Sequence, residues 1–227
     1  MSFEQLLSCV PDCTSWEKAR MWLEQGRHGV PHLDPTQEAI SLEWPVGTTR
    51  PPDCFGLYAD PNWRKFVLAT FLADLVSYHV PADQVSFDRL LYVMHAFPEG
   101  FRTWWMQDAK RVFWPVGYSG WYPMTKDAFT HFCERPNHLE SRMVVPTRQS
   151  SSYVYLFNFS VAPQLKNSLA SNALMKAFCQ DIKALKAKGL ACITVSDDGI
   201  RVAKRFGMTL SGYVNESQEG VYVVSMP

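Results

Sequence analysis

No run of apolar residues approaches the ~20 needed to cross a bilayer, and the strongest candidate, FVLATFLADLV, is broken by Asp74. An excess of either charge is also missing, with Lys plus Arg at 22 and Asp plus Glu at 22. That balance argues against nucleic acid as a partner, because a nucleic-acid-binding domain carries a basic excess. The six cysteines (Cys9, Cys13, Cys54, Cys133, Cys179 and Cys192) include no CxxC pair. Cys9 and Cys13 have no second Cys/His pair nearby, so no metal is expected. The start, MSFEQLLSCVPDCTSWEKAR, carries early acids and lacks a basic stretch leading into an apolar core. A secretory signal is therefore not expected, and a cytoplasmic location away from membranes is. Internal repeats and low-complexity tracts are absent as well.

What is present is material for a sizeable core, since 47% of the 227 residues are hydrophobic. The early part suggests helices joined by proline-rich loops. TSWEKARMWLEQG opens on a Thr/Ser cap and stops at Gly26, and 29–60 is punctuated by prolines. DPNWRKFVLATFLADLVSYHV is the clearest early helix. It has Asp60 as cap, Pro61 at its first position, and Trp63, Val67, Phe71 and Leu75 at four-residue steps. SFDRLLYVMHAF gives another helix.

The pattern changes near residue 110. RVFWPVGYSGWYPM predicts a strand or hairpin, TKDAFTHFCERP a short capped helix, and SSYVYLFNFSVAP a strand placing Phe157, Phe159 and Val161 on one face. A long amphipathic helix follows, with Leu174, Phe178, Ile182 and Leu185 as its stripe and Gly189 as its end. LACITVS predicts a buried strand, DDGIRVAKRFGM a short helix closed by Gly207, and the remainder a pair of strands.

Two segments carry a family resemblance. FSVAPQLKNSLASNALMKAF is similar to the fourth strand and pyrophosphate helix of the acyl-CoA N-acyltransferases, the GCN5-related N-acetyltransferase (GNAT) superfamily. AKRFGMTLSGYV is similar to that family's last helix and sixth strand, and GVYVVSMP to its final strand. The resemblance covers about half of the chain. It implies an α+β, three-layer fold: a GNAT-like mixed central sheet flanked by helices over 111–227, preceded by a mainly helical, loop-rich extension over 1–110.

The resemblance also implies a chemistry. The co-substrate is acetyl-CoA or another acyl-CoA, and the acceptor is a small-molecule or peptide amine. Pantetheine pairs with the backbone of Phe159, Ser160 and Val161, as an added strand would. The pyrophosphate lies at the helix N-terminus, on the stretch Lys166, Asn167, Ser168, Leu169, Ala170 and Ser171. That stretch keeps a cation and two small residues, but Leu169 stands where the family has glycine. The alternative is that Asn167 or Ser168 only caps the helix.

Acyl transfer needs a neutral amine, a donor for the oxyanion and a proton for the thiolate. Tyr155 stands at the family's usual base position and Ala203 at its usual acid position, so neither usual group is present. Ser196, Asp197 and Asp198, after the fifth strand, are substitutes, with capping of the following helix by Asp197 or Asp198 as the alternative; the hydroxyls of Tyr153 and Tyr155 are further substitutes, with core packing as the alternative. His131 and Cys133 are close in sequence but two apart on a helix, so they do not face each other. Trp104, Trp105, Trp114 and Trp121 suggest either an apolar acceptor pocket or core packing. Three functions stay open: acyl transfer from acyl-CoA, a GNAT-like module without catalysis, and acyl transfer from a carrier protein.

Overall fold

The computed structural model describes residues 3–10, 17, 21, 33–45, 60–78, 84–138, 144–147, 151–214 and 219–226. Apart from Glu17 and Met21, the predicted helix around Trp16 falls outside them, together with Cys13, Cys54 and most of the proline-rich stretch 29–60. The elements in chain order are α1 (Phe3–Cys9), β1 (Ile40–Glu43), α2 (Pro61–Ser77), α3 (Phe87–Ala96), β2 (Phe101–Gln107), β3 (Phe113–Met124), α4 (Lys126–Glu134), β4 (Tyr153–Val161), α5 (Leu169–Ala184), β5 (Gly189–Thr194), α6 (Asp197–Arg205), β6 (Thr209–Tyr213) and β7 (Gly220–Ser225). The strands follow the hydrogen-bonded order β1-β2-β3-β4-β5-β7-β6, with parallel pairing of β4 and β5 and antiparallel pairing at β1–β2, β5–β7 and β6–β7. This is the mixed sheet with flanking helices that the resemblance implied. The chain forms two compact units, Met1–Ser119 with Ser160–Met175, and Gly120–Phe159 with Lys176–Pro227.

In the first unit, α2 starts as its sequence dictates. Asp60 Oδ1 accepts hydrogen bonds from Asn62 N (2.9 Å) and Trp63 N (3.1 Å), and Pro61 occupies a position where no N–H is needed. Trp63, Val67, Phe71 and Leu75 are buried as the four-residue spacing predicted. Strands β1 and β2 lie within the residues expected to form the helical extension. They pair from Ile40↔Trp105 to Glu43↔Arg102, and Arg102 Nε lies 2.8 Å from Glu43 Oε1. Strand β2 is buried on both faces, so its sequence, FRTWWMQ, shows no alternation.

In the second unit, Val154, Leu156, Phe178, Ile182, Leu190, Cys192, Ala203, Met208 and Tyr222 form one apolar cluster. Gly207 closes α6 with a left-handed φ of 73°, as expected. Gly189 does not end α5. That helix stops at Ala184, Lys186 takes the left-handed conformation (φ 48°), and Gly189 is already the first residue of β5. What requires glycine there is the Phe129 ring, whose Cζ would sit 2.6 Å from any Cβ.

Candidate functional site

Strands β4 and β5 part company early. Their parallel register runs from Tyr153↔Gly189 to Tyr155↔Ala191, while β4 itself continues to Val161 and β5 to Thr194. Side-chain alternation along β4 breaks a little further on, between Phe157 and Phe159. Val154 and Leu156 join the cluster around Phe178, and Tyr155 and Phe157 pack on Tyr122 from the opposite face. Phe159 should follow Phe157, yet it stacks on Phe178 at 5.4 Å between ring centroids. Phe157 and Phe159 therefore do not share a face as predicted.

The turn after β4 belongs to the first unit. Pro163–Leu165 forms a single 3-10 turn, Asn167 adopts φ 62°, and α5 begins at Leu169. The left-handed residue the turn needs is thus Asn167, a type that tolerates it, and not Leu169. Leu169 points outward at 69% exposure. Ser168 is the cap: its Oγ accepts from Ser171 N at 3.0 Å, and Ser171 Oγ donates back to Ser168 O at 3.0 Å. Ala170 is buried, and its N–H donates to Pro35 O at 3.3 Å. Lys166 N and Ser168 N are held by Pro163 O (3.2 Å) and Leu165 O (3.1 Å). Lys166 itself is exposed.

A pyrophosphate at a helix start needs several unpaired N–H groups aimed at one place. Of the six residues Lys166 to Ser171, four already donate their amide hydrogens to protein acceptors. The turn as built does not fit that group. Sequence spacing gave no sign of this, because the acceptor on Ala170 is a main-chain carbonyl more than a hundred residues upstream.

The remaining candidates divide as follows. On β4, Ser160 is buried with Oγ unpartnered, and Val161 is half-buried. Tyr155 is 4% exposed, with its ring against Tyr122 and Phe132, which makes it a core residue. Ser196 is the cap of α6, its Oγ accepting from Gly199 N at 3.2 Å. Asp197 is exposed in the first turn, and Asp198 pairs with Arg201 at 2.8 Å. Asp127, Thr130, His131, Glu134 and Arg135 line a hollow of about 260 Å³ on α4. Cys133 is exposed, with its thiol pushed up by partial burial and by Glu134. Trp104 and Trp105 are core residues, Trp114 Nε1 donates to Asp108 Oδ2 at 3.0 Å, and Trp121 packs on the Phe178 cluster. Among the described residues no group of His, Cys, Asp and Glu could hold a metal ion, and no helix is long and apolar enough to span a membrane.

Sequence reasoning missed Asp74, which is fully buried in the first unit. It accepts from Tyr118 Oη (2.8 Å) and Val85 N (3.0 Å), and burial raises its pKa from 3.8 to about 7 despite both bonds.

Neither a protein-family model nor a curated protein sequence matches the chain. Solved structures do. The NatC complex bound to Gag peptide and CoA superposes with a TM-score of 0.51, at 11% identity over 84% of this chain and 100% of that one. The loading GNATL domain of CurA from Lyngbya majuscula gives 0.50, at 12% identity over 83% and 98%. The GphF GNAT-like decarboxylase in complex with isobutyryl-CoA gives 0.50, at 12% identity over 70% and 94%. The chain has the GNAT fold. At 84% coverage the GNAT likeness reaches well beyond the half of the chain whose sequence suggested it.

Proposed function

We propose that this chain is an acyltransferase that takes an acyl group from a pantetheine thioester, acyl-CoA being the familiar one, and passes it to an amine. The observation carrying this is the separation of β4 from β5 beyond Tyr155 and Ala191. A strand that outruns its neighbour offers a pairing edge, and the arm of the donor adds to it along Phe159, Ser160 and Val161. Ser160 Oγ, buried and unpartnered, is a polar atom that such an arm would satisfy.

The amine attacks the thioester carbonyl, the C–S bond breaks, and the proton lost by nitrogen matches the one gained by the departing thiolate. Tyr155 is enclosed in the core and has no part in this scheme. Asp197, exposed just after β5, is the proposed proton acceptor, working through water. Replacing it as Asp197→Asn should lower kcat/KM by about a hundredfold or more while leaving donor binding unchanged.

A thermal-shift experiment with CoA, acetyl-CoA and pantetheine tests the reading. A ligand at a hundredfold excess over its Kd adds about 2.7 kcal/mol to stability. No shift with any of the three sinks the transferase reading and leaves the second one, a GNAT-fold module without catalysis. The filled amides at the start of α5 favour that second reading, as does a core tyrosine, Tyr155, at the family's usual base position.

A further inference from the structure

Resting on the transferase reading, we infer that the donor is recognised by its pantetheine arm alone, so that the nucleotide diphosphate has no seat at the start of α5. The chain that excludes it is a short strap from Leu33 to Gln37. Leu33 is buried at 6% exposure and anchors one end. Asp34 shapes the turn: its Oδ1 accepts from Thr36 N (2.9 Å) and Thr36 Oγ1 (2.7 Å), and its carbonyl accepts from Gln37 N (3.0 Å). The turn presents Pro35 O to Ala170 N at 3.3 Å.

Two features combine here. The Pro35 carbonyl lies where a phosphate oxygen would have to lie, and two oxygens cannot share one N–H without repulsion. Ser171 N, the next amide that could serve, is held by Ser168 Oγ at 3.0 Å. The amides of Ala170 and Ser171 at this end of the helix are thus answered by neutral protein groups, a carbonyl and a hydroxyl. A donor read in this way is a pantetheine thioester of any origin, whether free, attached to a nucleotide or attached to a carrier protein, with the attached body lying outside the strap.

Calorimetric titration of the full chain with CoA, pantetheine and 3′,5′-ADP separates the possibilities. CoA and pantetheine should bind with Kd values within about threefold of each other, and 3′,5′-ADP should give no signal. Binding of 3′,5′-ADP, or CoA binding more than about tenfold tighter than pantetheine, overturns the inference but leaves the transferase reading standing. Absence of binding by both CoA and pantetheine overturns the two together. In the variant carrying Asp34→Ala and Thr36→Val, the strap loses its turn and 3′,5′-ADP binding should appear. Continued exclusion there, in a variant that still binds pantetheine, would show that the strap is not what keeps the nucleotide out.

Discussion

The two units bury polar groups differently. Among the described residues, Thr70, Asp74, Ser77, Thr103, Ser119 and Ser160 are the buried polar side chains of the first unit, against Thr194 alone in the second. The buried indole N–H groups of Trp44, Trp63 and Trp105 and the hydroxyl of Ser160, none with a hydrogen-bond partner, also fall in the first. The second unit is an apolar cluster whose buried thiol, Cys192, is driven up to about 12 by burial and stays neutral. An interior with polar groups responds to pH and to lost hydrogen bonds, whereas an apolar one responds to volume.

The largest test of this contrast is pH. The Asp74 carboxyl has a folded-state pKa of about 7, above its ordinary 3.8, so the folded state holds the proton more tightly than the unfolded state. Stability is therefore greatest below about pH 4 with respect to this group, falls as pH rises toward 7, and levels off above. A shift of that size corresponds to about 4 kcal/mol as an upper bound. Denaturant melts across this range should show the fall in the wild type. The Asp74→Asn protein should show it flattened, because the amide can accept from Val85 N and donate to Tyr118 Oη. An equal slope in both proteins would remove Asp74 as its source. Hydrogen exchange, corrected for its intrinsic pH dependence, should locate the change in the first unit and spare the Phe178 cluster.

Next in size is a pair of glycines. A Cβ on Gly117 would collide with the Ser160 carbonyl and lie 3.0 Å from Val161 Cα, backbone that cannot move aside. Gly117→Ala should cost about 3 kcal/mol. On Gly199 the nearest atoms are Thr194 Cβ at 3.4 Å and Ser196 Oγ at 3.5 Å, which is ordinary contact. Gly199→Ala should therefore be neutral or stabilise α6 by about 0.5 kcal/mol through helix propensity. A severe loss at Gly199, or none at Gly117, would reverse the expected order.

These cases also mark what the sequence could tell. Local chemistry was legible: Asp60 before Pro61, Thr125 ahead of α4 (its Oγ1 accepting from Ala128 N at 3.1 Å) and Gly207 after α6 each act within a few residues. So was the element order of the C-terminal part. Strand β2 was not, because burial on both faces erases the period by which strands are recognised. Gly189 looked like a helix stop, but its reason is the Phe129 ring sixty residues upstream. Phe157 and Phe159 were assigned to one face by their alternation, which does not show that one packs on Tyr122 and the other on Phe178. The turn at the start of α5 was legible in its cap and illegible in its closure. Ser168 is adjacent to the helix it caps, while Pro35 reaches Ala170 only through the fold.

The smallest effect compares the two serine caps. Ser168 serves α5 and Ser196 serves α6 through the same bond, from hydroxyl oxygen to the third amide onward, at 3.0 and 3.2 Å. Their surroundings differ. The first turn of α6 carries Asp197 and Asp198, which oppose the helix dipole, while the first turn of α5 carries no acid. Removing the hydroxyl from α6 leaves two carboxylates to solvate the exposed amides. Removing it from α5 leaves only the Pro35 carbonyl on Ala170. Ser168→Ala should thus cost about 1 kcal/mol and Ser196→Ala about half of that, measured by denaturant unfolding at low salt. Raising the salt should narrow the gap, because screening weakens what the acids of α6 supply. If Ser196→Ala proves the costlier, the carboxylates of α6 are not compensating for the cap, and Asp197 is then freer to act as the proton acceptor proposed for it.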